Sequence, residues 1–279
     1  MLTGYIDVGG GMRGVYGAGV LDRCIDDKIE FPYYIGVSAG SANIASFLAG
    51  QRGRCLRFYR DYSSRREYMS LYNLVKNKEY IDLDYVYTTL TQEGGEDPID
   101  YDALMKNKCE FYIVSTDATT GKTEYFDFRK LKKNDFFEIK ASCCIPLVSK
   151  PIRRNGRTFF DGGLSDPIPV KRALDAGCDK IVVTLTRPET YHKKHWMSLK
   201  AAGAVPGKYP EMAKLLKESP DRYNDGLEFL KELEAQGKAL VIAPESCCGV
   251  STLSRNKENI LALYQKGYED AERIADFLK

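Results

Sequence analysis

Short apolar runs and longer amphipathic runs take turns along this chain. Residues 2–8 (Leu-Thr-Gly-Tyr-Ile-Asp-Val) read as a first strand, and Val15 to Lys28 as an amphipathic helix. A second β-prone run, Phe31 to Val37, leads into a helix-compatible run from Ala42 to Ala49. Glu110 to Thr116 predicts a strand, Gly121 to Phe128 another, and Phe136 to Ala141 a helix. Arg157 to Phe160 predicts a strand, and Val170 to Ala176 a helix ended by Gly177. Lys180 to Thr186 is an unbroken apolar run, the mark of a strand buried within a parallel sheet. Pro220 to Gln236 predicts a helix, Ala239 to Ala243 a last strand, and Asn256 to Leu278 an amphipathic terminal helix. Strands alternating with helices predict a layered α/β fold.

Composition adds bounds. The 279 residues allow one large domain, and 43% hydrophobic with 29% charged residues is enough for a full core. The net charge of +2 argues against a dedicated nucleic-acid binder. Residues 52–80 and 187–217 each carry an excess of +5 within an otherwise acidic chain. Residues 63–107, with six tyrosines, are the least patterned stretch and predict helices and loops over one side of the core. A solvated cap is the favoured reading of that segment. The sharper one is a lid where Arg52, Arg54, Arg57, Arg60, Arg65 and Arg66 meet lipid phosphates beside Tyr59, Tyr62 and Tyr68. The eight cysteines form no C-x-x-C pair and read as reduced core residues, so no metal site is expected. The first residues, MLTGYIDVGGG, lack a basic n-region and an apolar stretch, so no signal peptide is expected. No window approaches the roughly 18 apolar residues of a membrane span.

Three motifs carry candidate chemistry. Gly36-Val37-Ser38-Ala39-Gly40 fits G-x-S-x-G at a strand-to-helix turn, where the backbone at the serine is strained and glycines make room. Such a turn aims the Ser38 amide into the start of the following helix, where negative charge is favoured. Gly9, Gly11 and Gly14 fit G-x-G-x-x-G after the first strand, which raises a dinucleotide site. Its acidic partner at the end of the second strand is missing, so amides donating to an oxyanion are the preferred use of these glycines. Asp161 follows Phe159-Phe160 and precedes Gly162-Gly163. The aromatic pair predicts a desolvated carboxylate with a raised pKa. The histidines, His192 and His195, sit among basic and polar residues and predict an exposed loop. Ser–Asp catalysis without histidine is the coherent reading.

The order Gly9-Gly10-Gly11-Met12-Arg13-Gly14, Gly36-Val37-Ser38-Ala39-Gly40, Asp161-Gly162-Gly163 resembles the patatin-like phospholipase family. Ala141-Ser142-Cys143-Cys144-Ile145-Pro146 is similar to a further block of that family, and the resemblance spans roughly residues 4–186. It implies a three-layer α/β/α sandwich with a mostly parallel central sheet. It also implies a Ser38 nucleophile, an Asp161 base and an oxyanion hole of Gly10 and Gly11 amides supported by Arg13. Gly9, Gly14, Gly36, Gly40 and Gly162 support the motifs, and no metal or organic cofactor is implied. Residues 1–279 are then expected to form one domain, with 52–107 a cap or lid and 187–279 an extension of it. The expected function is a serine lipid acyl hydrolase of phospholipase A type, acting in lipid degradation through an acyl-serine intermediate. A soluble esterase or thioesterase is the alternative, and a nucleotide-binding protein the third. The expected substrate is a fatty-acyl ester, met in the cytoplasm or at the inner face of an anionic membrane.

Overall fold

The fold is set by a sheet whose strands alternate their side chains between two helical layers. In the computed structural model, which describes residues 1–205 and 207–279, the strands are β1 (Thr3–Asp7), β2 (Tyr33–Val37), β3 (Glu110–Asp117) and β4 (Thr123–Asp127). β5 (Ile152–Arg154), β6 (Arg157–Asp161), β7 (Lys180–Thr184) and β8 (Ala239–Ile242) follow. Their order is β5-β6-β3-β2-β1-β7-β8. β3, β2, β1, β7 and β8 run parallel. β4, β5 and β6 add an antiparallel wing, and β3 is its branch point, pairing with both β4 and β6.

The helices are α1 (Val15–Asp26), α2 (Ala39–Leu48), α3 (Arg54–Arg57), α4 (Leu71–Asn77), α5 (Tyr101–Lys106) and α6 (Phe137–Ser142). α7 (Val170–Asp175), α8 (His195–Gly203), α9 (Pro210–Ala235), α10 (Lys257–Asp270) and α11 (Arg273–Leu278) complete the set. Along β1, Tyr5 joins one core with Val15, Tyr16 and Leu21 of α1. Its neighbour Ile6 joins a second core with Val170 of α7 and Leu227 and Leu230 of α9. The period-two alternation of β1 therefore buries both faces of the sheet, and the architecture is a three-layer α/β/α sandwich. The C-terminal part contributes β8 to the sheet edge, and α10 lies along α1. There Tyr264 donates to Asp22 (2.7 Å) and Tyr16 to Asp270 (2.7 Å).

Several boundaries differ from the sequence pattern. α2 starts at Ala39, directly after Ser38, because the sharp turn at the serine leaves no linker. α9 starts at Pro210, and Pro220 lies inside it. A proline cannot donate to the carbonyl of Leu216, and the Ser219 hydroxyl does so instead at 3.0 Å. The terminal helix is two helices, because a turn at Ala271 and Glu272 redirects the chain and buries Ile274. β5, short and arginine-rich, and α8, which buries only Ser198 and Ala202, carry no strong pattern.

The cap segment folds as α3, α4, α5 and two π-helical turns, Phe58–Tyr62 and Tyr85–Leu90. Its basic face is not the one the sequence suggested. Arg52 pairs with Asp26, Arg54 and Arg57 with Asp97, Arg60 with Asp61 and Arg65 with Glu96. Tyr59 and Tyr62 are buried. Only Arg66 of the six arginines has no carboxylate among the described residues.

Candidate active site

Ser38 stands where β2 meets α2, with φ 55 and ψ −129, a conformation that L residues rarely adopt. The turn closes only because its flanks are glycine. A Cβ on Gly36 would press on the Ser41 backbone, and one on Gly40 would overlap the Asp7 carbonyl. Ser38 Oγ donates to Asp161 Oδ2 at 2.6 Å, across 123 residues of chain. Asp161 ends β6, and its Oδ1 accepts the Gly163 amide at 2.8 Å. Its own amide donates to the Cys144 carbonyl (2.8 Å), and Thr116 donates to its carbonyl (2.8 Å). The carboxylate is thus held from both sides.

Burial pushes the Asp161 carboxyl up to about 6; the Ser38 and Gly163 hydrogen bonds and the Lys193 ammonium oppose that rise. Lys193 was not singled out by the sequence. It follows β7 in a loop and lines an open cleft of about 310 Å³ with Ser38, Asp161, Gly10, Gly11 and Arg13. Burial, then the neighbouring Arg187, bring the Lys193 ammonium down to about 8.

The glycine loop lies against the elbow. Gly9, Gly10 and Gly11 all have positive φ, 66, 130 and 62. A Cβ on Gly10 would come within 2.5 Å of Thr186 Oγ1, and one on Gly11 within 2.6 Å of the Thr252 carbonyl. Among the described residues no acceptor takes the Gly10 or Gly11 amide. The Ser38 amide differs from expectation: it donates to Ser142 Oγ at 2.8 Å, so it is occupied. Ser142 in turn lies 2.9 Å from the Ser41 hydroxyl, which donates to the Ser38 carbonyl. Arg13 is buried, donates to Thr252 Oγ1 (3.0 Å), and leaves its Nε without a partner among the described residues. Burial and Arg187 lower its guanidinium to about 10.

Asp7 is the second residue the sequence reading passed over. It is buried at the end of β1, accepts the Gly9 amide (2.9 Å) and the Asn43 side-chain amide (3.0 Å), and is pushed up to about 6 by burial. Asn43 also donates to the Gly14 carbonyl (2.8 Å). Asp7 and Asn43 therefore tie the glycine loop to α2. An acid two positions before the glycine run was the available signal.

A second, narrow cavity of about 80 Å³ also begins at Ser38. It runs under the cap and is lined by Ala42, Tyr59, Leu83, Tyr87, Ile99 and Ile139, among others. The cavity is mainly apolar, as a fatty-acyl chain requires. His192 and His195 are exposed and face Glu228 (3.9 Å) and Asp221 (3.0 Å) of α9. No group of three His, Cys, Asp or Glu placed to hold a metal occurs among the described residues.

A three-layer α/β fold with a serine on a glycine-flanked elbow is the arrangement of a serine hydrolase. The family model of the patatin-like phospholipases matches residues 8–174, and the chain belongs to that family. A second model, Domain of unknown function (DUF6363), matches residues 209–279. The chain is similar to the uncharacterized protein YjjU of Escherichia coli (strain K12), 27% identical over 242 residues. That match covers 85% of this chain and 66% of YjjU, so the chain spans just under two thirds of that relative's length. The fold also matches the crystal structure of VipD from Legionella pneumophila, with a TM-score of 0.50 and 14% identity. The match covers 99% of this chain and 67% of VipD. Among the described residues no helix is long and apolar enough to cross a membrane.

Proposed function

We propose that the chain hydrolyses fatty-acyl esters of phospholipids or related lipids, with Ser38 as nucleophile and Asp161 as its base. The observation that carries this reading is the 2.6 Å hydrogen bond from Ser38 Oγ to a buried carboxylate, at the junction of an apolar cavity and an open cleft. Asp161 takes the Ser38 proton as Oγ attacks the ester carbonyl. The tetrahedral oxyanion is met by the Gly10 and Gly11 amides, with the Arg13 charge behind them. Collapse expels the alcohol, which leaves with the proton from Asp161, and yields acyl-Ser38. Water, deprotonated by Asp161, then releases the acid. The narrow apolar cavity favours a long acyl group over the small acids of the soluble-esterase reading.

The test is lipid-product mass spectrometry with wild type and Ser38→Ala side by side. Wild type releases fatty acid from phospholipid, and Ser38→Ala and Asp161→Asn each lose roughly 10³-fold or more in kcat while still folding. Turnover of a p-nitrophenyl ester by purified Ser38→Ala at the wild-type rate overturns the assignment.

A further inference from the structure

Two helices are built inside out. On α4, Leu71, Leu74 and Val75 fall at i, i+3 and i+4, so they share one face, and that face points to solvent. Leu71 is 71% and Val75 84% exposed. The residue facing inward is polar: Asn73 is buried, with its amide on Ser70 Oγ (3.0 Å) and its side chain on the Glu67 carbonyl (2.9 Å). α8 repeats the arrangement. Trp196 is 64% exposed and Met197 and Leu199 are exposed too, while Ser198 and Ala202 face in. Burial in the monomer explains neither helix.

α8 borders the Ser38 cleft through Ala201, and α4 spans the excursion between Met69 and Ile81, which line the cavity beneath the cap. α4 leads to Tyr80 and Ile81, whose amides bond the Val148 carbonyl at 2.8 Å each. The preceding residue, Leu147, is itself exposed and lines the cleft, as does Ala201 of α8. Apart from Met1 and Leu261, the large exposed apolar residues thus fall on α4, on α8 and at Leu147. Cations are set among them: Arg66, Lys76 and Lys78 around α4, and Lys194 and Lys200 on α8. Arg66 lies 4.6 Å and Lys76 5.5 Å from the centre of the Tyr72 ring, so that ring sits among charges. Glu67 and, opposite His195, Asp221 stand nearby, while Glu79 beside Lys78 is buried and paired with Lys150.

We infer that this face docks on the surface of an anionic lipid bilayer, with α4 and α8 as two apolar prominences. The inference rests on the acyl-lipid reading of the Ser38 site. Apolar side chains beside lysine and arginine match the acyl and phosphate layers of such a surface. A second copy of the chain fits less well, because a two-fold contact would set these cations against their own copies.

The test uses the full chain carrying Ser38→Ala, so binding is read without hydrolysis. It is floated with vesicles of phosphatidylcholine containing phosphatidylglycerol, and with phosphatidylcholine alone. The Ser38→Ala chain floats with the anionic vesicles in a salt-sensitive way, and Val75→Asp and Trp196→Ser each lower binding tenfold or more. Trp196 is the one tryptophan of the chain, and its emission shifts to the blue on binding. In the catalytically intact background the same substitutions cut vesicle hydrolysis but leave p-nitrophenyl butyrate turnover unchanged. Absence of flotation, flotation unaltered by the substitutions, or a dimer that they split without any vesicle binding overturns the inference. Ester turnover by Ser38→Ala would instead defeat the catalytic reading and leave the flotation result standing.

Discussion

The Lys193 amide donates to Asn224 Oδ1 at 2.8 Å, and Asn224 Nδ2 returns a bond to the Lys193 carbonyl at 3.1 Å. This pair fastens the loop after β7 to α9 and holds a cation in the cleft with Asp161. That cation lowers the Asp161 pKa, against the burial that raises it. Replacing it by Lys193→Met removes the opposing charge, so the carboxyl rises above its value of about 6. As the proposed base, Asp161 must be ionised to act. The acid limb of the kcat/KM profile therefore moves to higher pH, and an unmoved limb refutes the coupling. Asn224→Ala, which frees the loop, should shift it in the same direction by less.

Two buried acids make stability depend on pH in an unusual sense. Asp7 and Asp161 are both raised from 3.8 to about 6. The folded chain binds their protons more tightly than the unfolded chain. Each therefore adds stability as pH falls through 6 toward 4, by up to about 3 kcal/mol. The paired acids held below the usual range, such as Asp26 and Asp61, lose their contribution only below about pH 4. The melting temperature should rise from pH 8 to pH 5. Asp161→Asn should melt higher than wild type at pH 8, with the gap closing by pH 5. A gap of the same size at both values excludes the linkage.

Asn43→Ala tests the brace beneath the glycine loop. It takes one donor from buried Asp7 and another from the Gly14 carbonyl. A cost of roughly 1–3 kcal/mol is expected for a buried group left unpaired. If the loop supplies the oxyanion donors, kcat falls while KM changes little. Loss of stability with kcat intact would separate the brace from catalysis.

Ala42→Phe places a ring in the apolar cavity one turn along α2 from Ser38. Long acyl chains should suffer and short ones should not. Relative kcat/KM for p-nitrophenyl palmitate over butyrate is expected to fall roughly 10–200-fold. An unchanged ratio would place the acyl chain elsewhere.

A chain ending at residue 238 lacks β8 and α10. It uncovers the outer edge of β7 and the face of α1 that holds Tyr264. We expect it to be insoluble or to lack near-UV circular dichroism, as one folding unit demands. A soluble fragment with cooperative melting would make residues 239–279 a separate unit.

The proposed catalytic constellation was legible as a set of neighbours because backbone geometry leaves few residue choices. Only glycine fits beside Asp7 at position 40, and only glycine passes Thr186 and Thr252 at positions 10 and 11. Such constraints are written locally. The partners of buried charges are not. Asp97 takes Arg57 from 40 residues away, so a segment that reads as a basic face is largely neutralised once folded. The Ser38 amide reads as free and is spent on Ser142, 104 residues on. Pro220 reads as a helix start, but the adjacent Ser219 hydroxyl takes the Leu216 carbonyl and the helix runs through the proline.

Under the proposed mechanism, the two spaces that share Ser38 also separate the halves of a cleaved ester. An acyl group threaded beneath the cap stays behind after the first step, while the alcohol departs through the wider opening. Whatever enters that opening next competes for the stranded acyl group, whether water or another alcohol. The ratio of hydrolysis to acyl transfer is then fixed by traffic through one door.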